Sequence, residues 1–278
     1  MYYVFSTSDS FRMTFIIDKF VNFFLYRLIL LSTFVVNNNS KKMKKILIAS
    51  PTADIKDYCF DKWMENVSKF TYENCELYVC DNSTTRDYYV DIKKRYEHLG
   101  NSFNVGRVTP SQFEQFNLTY KSILAKSHEK CRLYALENDF DYLLHLETDI
   151  FPPADVIERL LDSKQKVVGA MYHIEVGARS TLMIQKIEEF GNELRETYNL
   201  DENDIDFVDG EVKRVFSCGL GCVLIHRSVL KQVSFRYEEG SPVHPDSFYY
   251  ADLDAKQIPV FVDTSIYCRH DNQTMVRI

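Results

Sequence analysis

The chain has 278 residues, enough for one large α/β domain or two smaller ones. Hydrophobic residues make up 45% and charged residues 26%, a globular composition that excludes collagen-like, coiled-coil and wholly disordered chains. The net charge of -7 argues against a protein that binds nucleic acid through a broad basic surface. The seven cysteines include no CxxC pair, which favours reduced thiols in a reducing compartment.

The N-terminal residues differ in composition from the rest of the chain. An apolar run from Phe20 to Val36 is interrupted by Asn22 and Arg27. A membrane-spanning helix needs about twenty apolar residues, and a central arginine costs about 2.5–3.5 kcal/mol on insertion. Two interpretations therefore stay open for residues 15–36, namely association with a membrane as a spanning or interfacial helix, or an unusual terminal helix.

A second start is visible at Met43, where the sequence MKKILIAS is typical of the beginning of a cytosolic α/β protein. Residues 1–42 are accordingly predicted to be an apolar N-terminal extension, either a membrane-associated helix or an extension upstream of a true start at Met43, and residues 43–278 one domain. Four lysines flank Met43, which by the positive-inside tendency would keep the domain in the cytoplasm: Lys41, Lys42, Lys44 and Lys45. We expect a cytoplasmic protein, with the cytoplasmic face of a membrane as the alternative.

From Lys44 onward, apolar runs alternate with helical patterns. Strands are predicted at Lys45–Ser50, Glu76–Cys80, Asn104–Val108 and Tyr142–Leu146. Helical spacing is found at Phe60–Phe70, Arg86–His98 and Ser111–Glu137, and Pro152 opens another helix. This alternation predicts a mostly parallel sheet flanked by helices, in which ligands bind beyond the carboxyl ends of the strands.

Two carboxylates, Glu147 and Asp149, follow the Tyr142–Leu146 strand. Positions i and i+2 of an extended chain point to the same side, so both carboxylates are predicted to face one space. Hard oxygen ligands of this kind suit Mg²⁺ or Mn²⁺ completed by water and substrate phosphates. The alternative is a solvated turn that carries two acids. Neither of the two standard glycine-rich phosphate loops occurs in the sequence.

The segment Tyr142–Pro153, YLLHLETDIFPP, resembles the strand and metal-binding turn of GT-A nucleotide-sugar glycosyltransferases of the family-2-like, DxD type. Glu147 stands where the first Asp of the motif is usual, and a relative in which Asp149 alone binds the metal directly also fits. The resemblance extends from Lys44 to Asn272. It implies a three-layer GT-A (Rossmann-like) mixed sheet and an Mn²⁺ or Mg²⁺ ion held by Glu147, Asp149 and His270.

The same resemblance implies a set of residues that bind the nucleotide-sugar donor. They are Ser50, Pro51, Thr52, Asp81, Arg132, Glu147, Gly219 and Gly221. Several of these residues also have a structural interpretation. Asp81 can close a strand as an Asx turn, Arg132 can be a solvated side chain, and the two glycines can form a strand bend without a ligand.

Asp246 matches the catalytic base of inverting members of this family. Asp252 and Asp254 are nearby alternatives, and an acid at a helix N-terminus also stabilises the helix itself. The implied reaction is metal-dependent transfer of a sugar from a nucleoside-diphosphate sugar to a hydroxyl of a glycan, lipid-linked or protein acceptor, with inversion.

Two other functions stay open. A nucleotidyltransferase also needs a metal-bound carboxylate pair, although such enzymes generally carry a glycine-rich loop after the first strand, and IASPTADIKD has no glycine. A non-catalytic nucleotide- or sugar-binding relative of the same fold is the other, because Glu147 departs from the usual motif.

Overall fold

The computed structural model describes residues 43–110, 120–176, 179–190, 194–200 and 202–271. Its centre is an eight-stranded mixed sheet in the order β11-β13-β6-β12-β4-β1-β2-β3. The described residues from Lys44 onward belong to one compact unit. Within the described ranges, no helix combines the length and apolar character needed to cross a membrane. The predicted membrane-associated segment 15–36 lies outside the described residues.

The strands of the described chain are, in order, β1 (Ile46–Thr52), β2 (Cys75–Asp81), β3 (Phe103–Arg107), β4 (Tyr142–Leu146), β5 (Ile150–Phe151), β6 (Val167–Met171), β7 (His173–Val176), β8 (Arg179–Leu182), β9 (Gln185–Phe190), β10 (Leu194–Asn199), β11 (Val212–Val215), β12 (Cys222–His226), β13 (Val260–Tyr267) and β14 (Arg269–His270). The helices are α1 (Asp57–Val67), α2 (Asp87–Arg95), α3 (Tyr120–Glu137), α4 (Val156–Asp162), α5 (Arg227–Leu230) and α6 (Pro245–Ala255). Short 3₁₀ turns occur at Asp54–Lys56, Glu97–Ser102 and Glu202–Phe207.

Helices cover both faces of the sheet, which confirms the predicted layered α/β fold. Alternate residues of β1 enter two different cores: Ile46 and Ile48 pack with α1, α2 and α4, whereas Leu47 and Ala49 pack with α3, α5 and α6. All residues of β1 are buried, as expected for a strand covered on both sides. Because both faces of such a strand are buried, the apolar residues of β1 follow one another without polar interruptions.

The direction of the strands places several functional positions at one edge. β1 pairs in parallel with β2 and β4, and β2 pairs in parallel with β3. Their carboxyl ends therefore lie together. β12 runs antiparallel between β4 and β6, and its first residue, Cys222, lies opposite Leu146. This pairing brings the residues that precede β12 to the same edge.

β1 is longer than the sequence predicted. The strand was expected to end before Pro51, but it continues through Thr52, with Pro51 opposite Cys80 of β2. The pairing of β1 with β4 covers only Ile46–Ala49, so Pro51 has a neighbouring strand on one side only. Proline is tolerated there because its missing N–H is not needed by a second neighbour. No two of the seven cysteines form a disulfide.

Candidate functional site

The candidate site lies at the carboxyl edge of the parallel strands, where β4 is followed by the turn Glu147–Asp149. Asp149 is buried, with 3% of its surface exposed. One carboxylate oxygen, Oδ2, accepts a hydrogen bond from the ammonium of Lys56. Lys56 ends the 3₁₀ turn that follows β1, so the parallel pairing of β1 and β4 is what brings these two charges together.

His270 reaches the same carboxylate from the end of the chain. β14 pairs antiparallel with β5, so that His270 lies opposite Ile150, and its Nε2 is 3.5 Å from Asp149 Oδ2. The Nδ1–H of His270 donates to the carbonyl oxygen of His173 at 2.8 Å. A histidine that ligates a metal is commonly fixed in this way, with its second nitrogen bound to a backbone carbonyl.

Opposite charges set the ionisation of this cluster. Burial by itself would raise the pKa of Asp149, but the hydrogen bond to His270 and the charge of Lys56 hold it below its ordinary value. Burial likewise would lower the pKa of His270 and of Lys56, and Asp149 raises both. The carboxylate is therefore ionised, beside the ammonium of Lys56 and the imidazole of His270.

The site offers a partial set of metal ligands. Asp149 Oδ1 is buried and makes no hydrogen bond with any described residue, so an acceptor oxygen faces the site without a partner. The oriented Nε2 of His270 is a second suitable donor. Among the described residues, no group of three or more His, Cys, Asp or Glu side chains could by itself hold a metal ion. A divalent cation with two protein ligands, completed by water and phosphate oxygens, fits these donors.

Glu147 lies between this cluster and the beginning of α6. Its backbone N–H donates to the carbonyl oxygen of Gly221 at 2.9 Å. Burial raises the pKa of Glu147, and the charges of Asp149 and Asp246 raise it further. The structure therefore brings four predicted residues into one electrostatic environment: Glu147, Asp149, Asp246 and His270.

Asp246 lies in the first turn of α6 and is bound to a histidine that the sequence analysis did not select. The Nδ1–H of His244 donates to Asp246 Oδ1 at 2.8 Å. Burial would raise the pKa of Asp246, but the hydrogen bond and charge of His244 lower it. Of the alternative bases, Asp252 is held by Arg236 through two hydrogen bonds of 2.7 and 2.9 Å, and Asp254 lines a different pocket.

The residues predicted to bind the donor at the ends of β1 and β2 are largely buried or bonded to other residues of the chain. Ser50 is buried and donates through Oγ to the carbonyl oxygen of Pro51 at 2.8 Å, and Thr52 is also buried. Asp81 is fully buried. Its Oδ1 accepts from the N–H and Oγ of Ser83 at 3.0 and 2.6 Å, and its Oδ2 pairs with Arg107. The structure shows the Asx turn, with both carboxylate oxygens of Asp81 in contact with the protein, and the contact of Asp81 with a nucleoside stays a prediction.

Three further predicted residues have structural contacts that account for them. A Cβ on Gly219, whose φ is +66°, would lie 2.1 Å from the hydroxyl of Tyr172, and one on Gly221 would lie 2.6 Å from its ring. Tyr172 thus packs against both glycines, and their contact with a donor sugar stays a prediction. Arg132 forms hydrogen bonds with Glu129 and with the carbonyl oxygen of Leu230, so it is not the solvated side chain of the alternative interpretation, and its contact with the donor stays a prediction.

Sequence reasoning missed Lys56, Arg107, Tyr172 and His244. Lys56 and Arg107 contact carboxylates 93 and 26 residues away in the chain, so only the register of the strands reveals them. His244 was detectable, because the triplet His-Pro-Asp at the start of a helix places a histidine two residues before an acid that was already a candidate.

Comparison with known proteins identifies the fold. No family model and no curated protein sequence matches the chain. The solved structure of GalNAc-T7 with UDP, GalNAc and Mn²⁺ matches 83% of this chain and 44% of its own at a TM-score of 0.55 and 10% identity. Structures of residues 1–349 of S. aureus TarS, one of them with UDP, match 60% of their own length at a TM-score of 0.48 and 12% identity.

The chain therefore spans less than two thirds of each of these structures. At 10% identity, the likeness to GalNAc-T7 shows a shared fold, and the central sheet flanked by helices is the GT-A arrangement that the sequence resemblance predicted.

Proposed function

We propose that this protein is a glycosyltransferase that transfers a sugar from a nucleoside-diphosphate sugar to an acceptor hydroxyl, with inversion. The observation that carries the proposal is the buried carboxylate Asp149 at the carboxyl edge of a GT-A sheet, bound by Lys56 and close to His270. Glu147 connects it electrostatically with the His244–Asp246 pair. The acceptor would be a glycan, a lipid-linked sugar or a protein. UDP is the first nucleotide to test, because GalNAc-T7 was solved with it.

The proposal includes a divalent cation, Mn²⁺ or Mg²⁺. Asp149 and His270 would hold it, with Glu147 as the third predicted ligand. When bound, such an ion neutralises negative charge on a departing diphosphate. The uncoordinated Oδ1 of Asp149 and the fixed orientation of His270 support this assignment. The GalNAc-T7 structure, which contains Mn²⁺, makes that ion the natural choice for a first experiment.

The chain's own residues would perform three tasks. The ammonium of Lys56 would place positive charge beside the diphosphate. The backbone of Ser50, Pro51 and Thr52, at the end of β1, would line the nucleoside pocket, while Asp81 and Arg107 hold the neighbouring strand ends together. The His244–Asp246 pair at the start of α6 would supply the base that takes the acceptor's proton.

Ligand-dependent stability of the full chain tests this proposal. UDP, GDP, CDP and CMP are added with and without Mn²⁺, and melting temperatures are recorded. A ligand that binds only the native state raises the melting temperature by mass action. We expect one diphosphate to raise it only with Mn²⁺, and Asp149→Asn to abolish that shift. Asp155→Asn is the matched control, because the side chain of Asp155 is 57% exposed beside Arg159.

Turnover then separates the three functions. Release of nucleoside diphosphate from the matching nucleotide sugar supports a glycosyltransferase. Formation of free pyrophosphate would instead indicate a nucleotidyltransferase. Metal-dependent binding without turnover of any donor would indicate a non-catalytic relative of the same fold.

A further inference from the structure

We propose that His244 is the residue that removes the proton from the acceptor hydroxyl, and that Asp246 positions His244 instead of acting on the substrate itself. This inference rests on the proposed glycosyl transfer. It reassigns the base from Asp246, which the sequence predicted, to His244. The reasons are the contacts and the exposure of the two side chains.

The exposure of the two side chains differs. The side chain of His244 is 41% exposed, whereas that of Asp246 is 10% exposed. An acceptor hydroxyl can approach an imidazole at the surface more readily than a carboxylate behind it. Asp246 Oδ1 already accepts the Nδ1–H of His244 at 2.8 Å, so one of its oxygens is committed to the histidine.

The hydrogen bond also sets the tautomer of His244. An ionised carboxylate can only accept hydrogen bonds, so the proton of neutral His244 must be on Nδ1. Nε2 is then the ring nitrogen with a free lone pair, and it makes no hydrogen bond to any described residue. A buried acid that orients an accessible imidazole and stabilises its protonated form is a well-established arrangement for general base catalysis.

The backbone holds the pair in place. His244 precedes Pro245, the first residue of α6, and has φ -75° and ψ 149°. A residue before proline is restricted to such extended conformations. Asp246, two residues later, lies within the first helical turn. The chain direction at the helix start thus fixes the geometry of both side chains.

Charged groups from several elements surround His244. Asp246 faces it from α6, Glu147 from the end of β4, and Lys121 from α3. Behind Asp246 lie two fully buried histidines, His128 and His145. Because the charge of Glu147 acts on both His244 and Asp246, the imidazole lies near a carboxylate that is proposed to hold the metal ion.

The proposed step transfers the sugar to the acceptor and the acceptor's proton to His244. The acceptor oxygen forms a bond to the anomeric carbon of the sugar, and the bond from that carbon to the diphosphate oxygen breaks. The diphosphate leaves with the bonding electron pair. The acceptor's proton moves to Nε2 of His244, and the resulting imidazolium is stabilised by Asp246.

Hydrolysis of the nucleotide sugar, with water as acceptor, tests the assignment in the full chain with Mn²⁺. We expect His244→Ala to lower the hydrolysis rate about 100-fold or more, as for loss of a general base, and added imidazole to restore part of it. Asp246→Asn should retain measurable activity, with the acidic limb of its pH profile moved to lower pH. His98→Ala is the control, because His98 is an exposed histidine of another segment.

The opposite pattern would overturn the inference: an Asp246→Asn variant that is inactive at every pH, beside a His244→Ala variant of near wild-type rate. Nitrogen-15 NMR of histidine-labelled protein gives a second readout that needs no turnover. We expect the proton of neutral His244 on Nδ1, and a proton on Nε2 would contradict the proposal. Inactive wild-type protein with every donor would instead refute the proposed function.

Discussion

Asp149 is a buried carboxylate whose charge is compensated by two side chains from distant parts of the chain. Lys56 contacts Oδ2, and His270 Nε2 lies 3.5 Å from the same oxygen. A buried ion pair contributes little net stability compared with an apolar pair, but removal of one partner leaves a charge that neither water nor protein solvates. The residues of this site are therefore coupled to folding as well as to ligands.

Replacement of Lys56 by methionine tests that coupling. We expect the free energy of unfolding to fall by about 2 kcal/mol, less than for a fully buried pair because the side chain of Lys56 is 28% exposed. Urea denaturation measures the change. Lys69→Met removes an exposed pair with Glu65 and should cost no more than about 0.5 kcal/mol. Equal losses in the two variants would show that Lys56 does not compensate Asp149.

In metal-free protein, we expect the contribution of His270 to the free energy of unfolding to depend on pH. Burial alone would lower its pKa, but the hydrogen bond and charge of Asp149 raise it. A histidine whose pKa is higher in the folded than in the unfolded protein stabilises the fold when it is protonated. This stabilisation is complete at pH values below the pKa in the unfolded protein, about 6.5, and is lost as the pH rises through the pKa in the folded protein. His270→Gln should therefore cost more at about pH 5.5 than at about pH 8.5 in urea denaturation. A cost that is the same or greater at high pH contradicts this prediction.

At the scale of elements, the turn before β12 is shaped by packing against Tyr172. The N–H of Gly221 donates to the hydroxyl of Tyr172 at 3.1 Å, and the ring lies where a side chain at position 221 would point. The family resemblance implies the other explanation, in which Gly221 is needed to bind the donor sugar. The two explanations make different predictions for the same substitution.

We expect Gly221→Ala to lower the free energy of unfolding by about 1–3 kcal/mol, because the added methyl group would overlap the ring of Tyr172. Thermal or urea denaturation measures the loss. Combining it with Tyr172→Leu should recover stability relative to the sum of the two single changes. If the glycine serves only the donor, Gly221→Ala would leave stability unchanged and weaken nucleotide binding alone.

Features with a local sequence pattern could be predicted, whereas contacts between residues far apart in the chain could not. β4 was predicted with its observed bounds because its apolar run is bounded by polar residues. Asp149 and Asp246 could be selected as candidates because strand ends and helix starts are readable locally. The contact between Asp81 and Arg107 could not be predicted, because Arg107 belongs to β3 and only the strand order makes the two residues neighbours.

At the scale of the whole molecule, the site combines parts from the entire described chain. Lys56 follows β1, Glu147 and Asp149 follow β4, His244 precedes α6, and His270 lies in β14. The parallel strands supply the edge, and the antiparallel strand β12 closes it beside β4. Ligand binding should therefore stabilise the fold as a unit.

The two apolar cores predict the behaviour of a shortened chain. In the described residues, both cores are formed by side chains from Ile46 onward, so we expect residues 43–278 alone to unfold cooperatively. Their melting temperature should lie within about 2 °C of that of the full chain, which for a chain of this size corresponds to about 1 kcal/mol or less. The nucleotide-dependent shift with Mn²⁺ should also be the same.

Liposome sedimentation of the same two proteins tests membrane association of residues 15–36, one of the interpretations of this segment. On that interpretation only the full chain should sediment with anionic vesicles, because an apolar segment followed by four lysines combines burial of apolar surface with attraction to acidic headgroups. Full chain that stays in the supernatant would refute the membrane association. A shortened chain that melts broadly or at a much lower temperature would show that residues 1–42 are part of the folded domain, contrary to the predicted boundary at Met43.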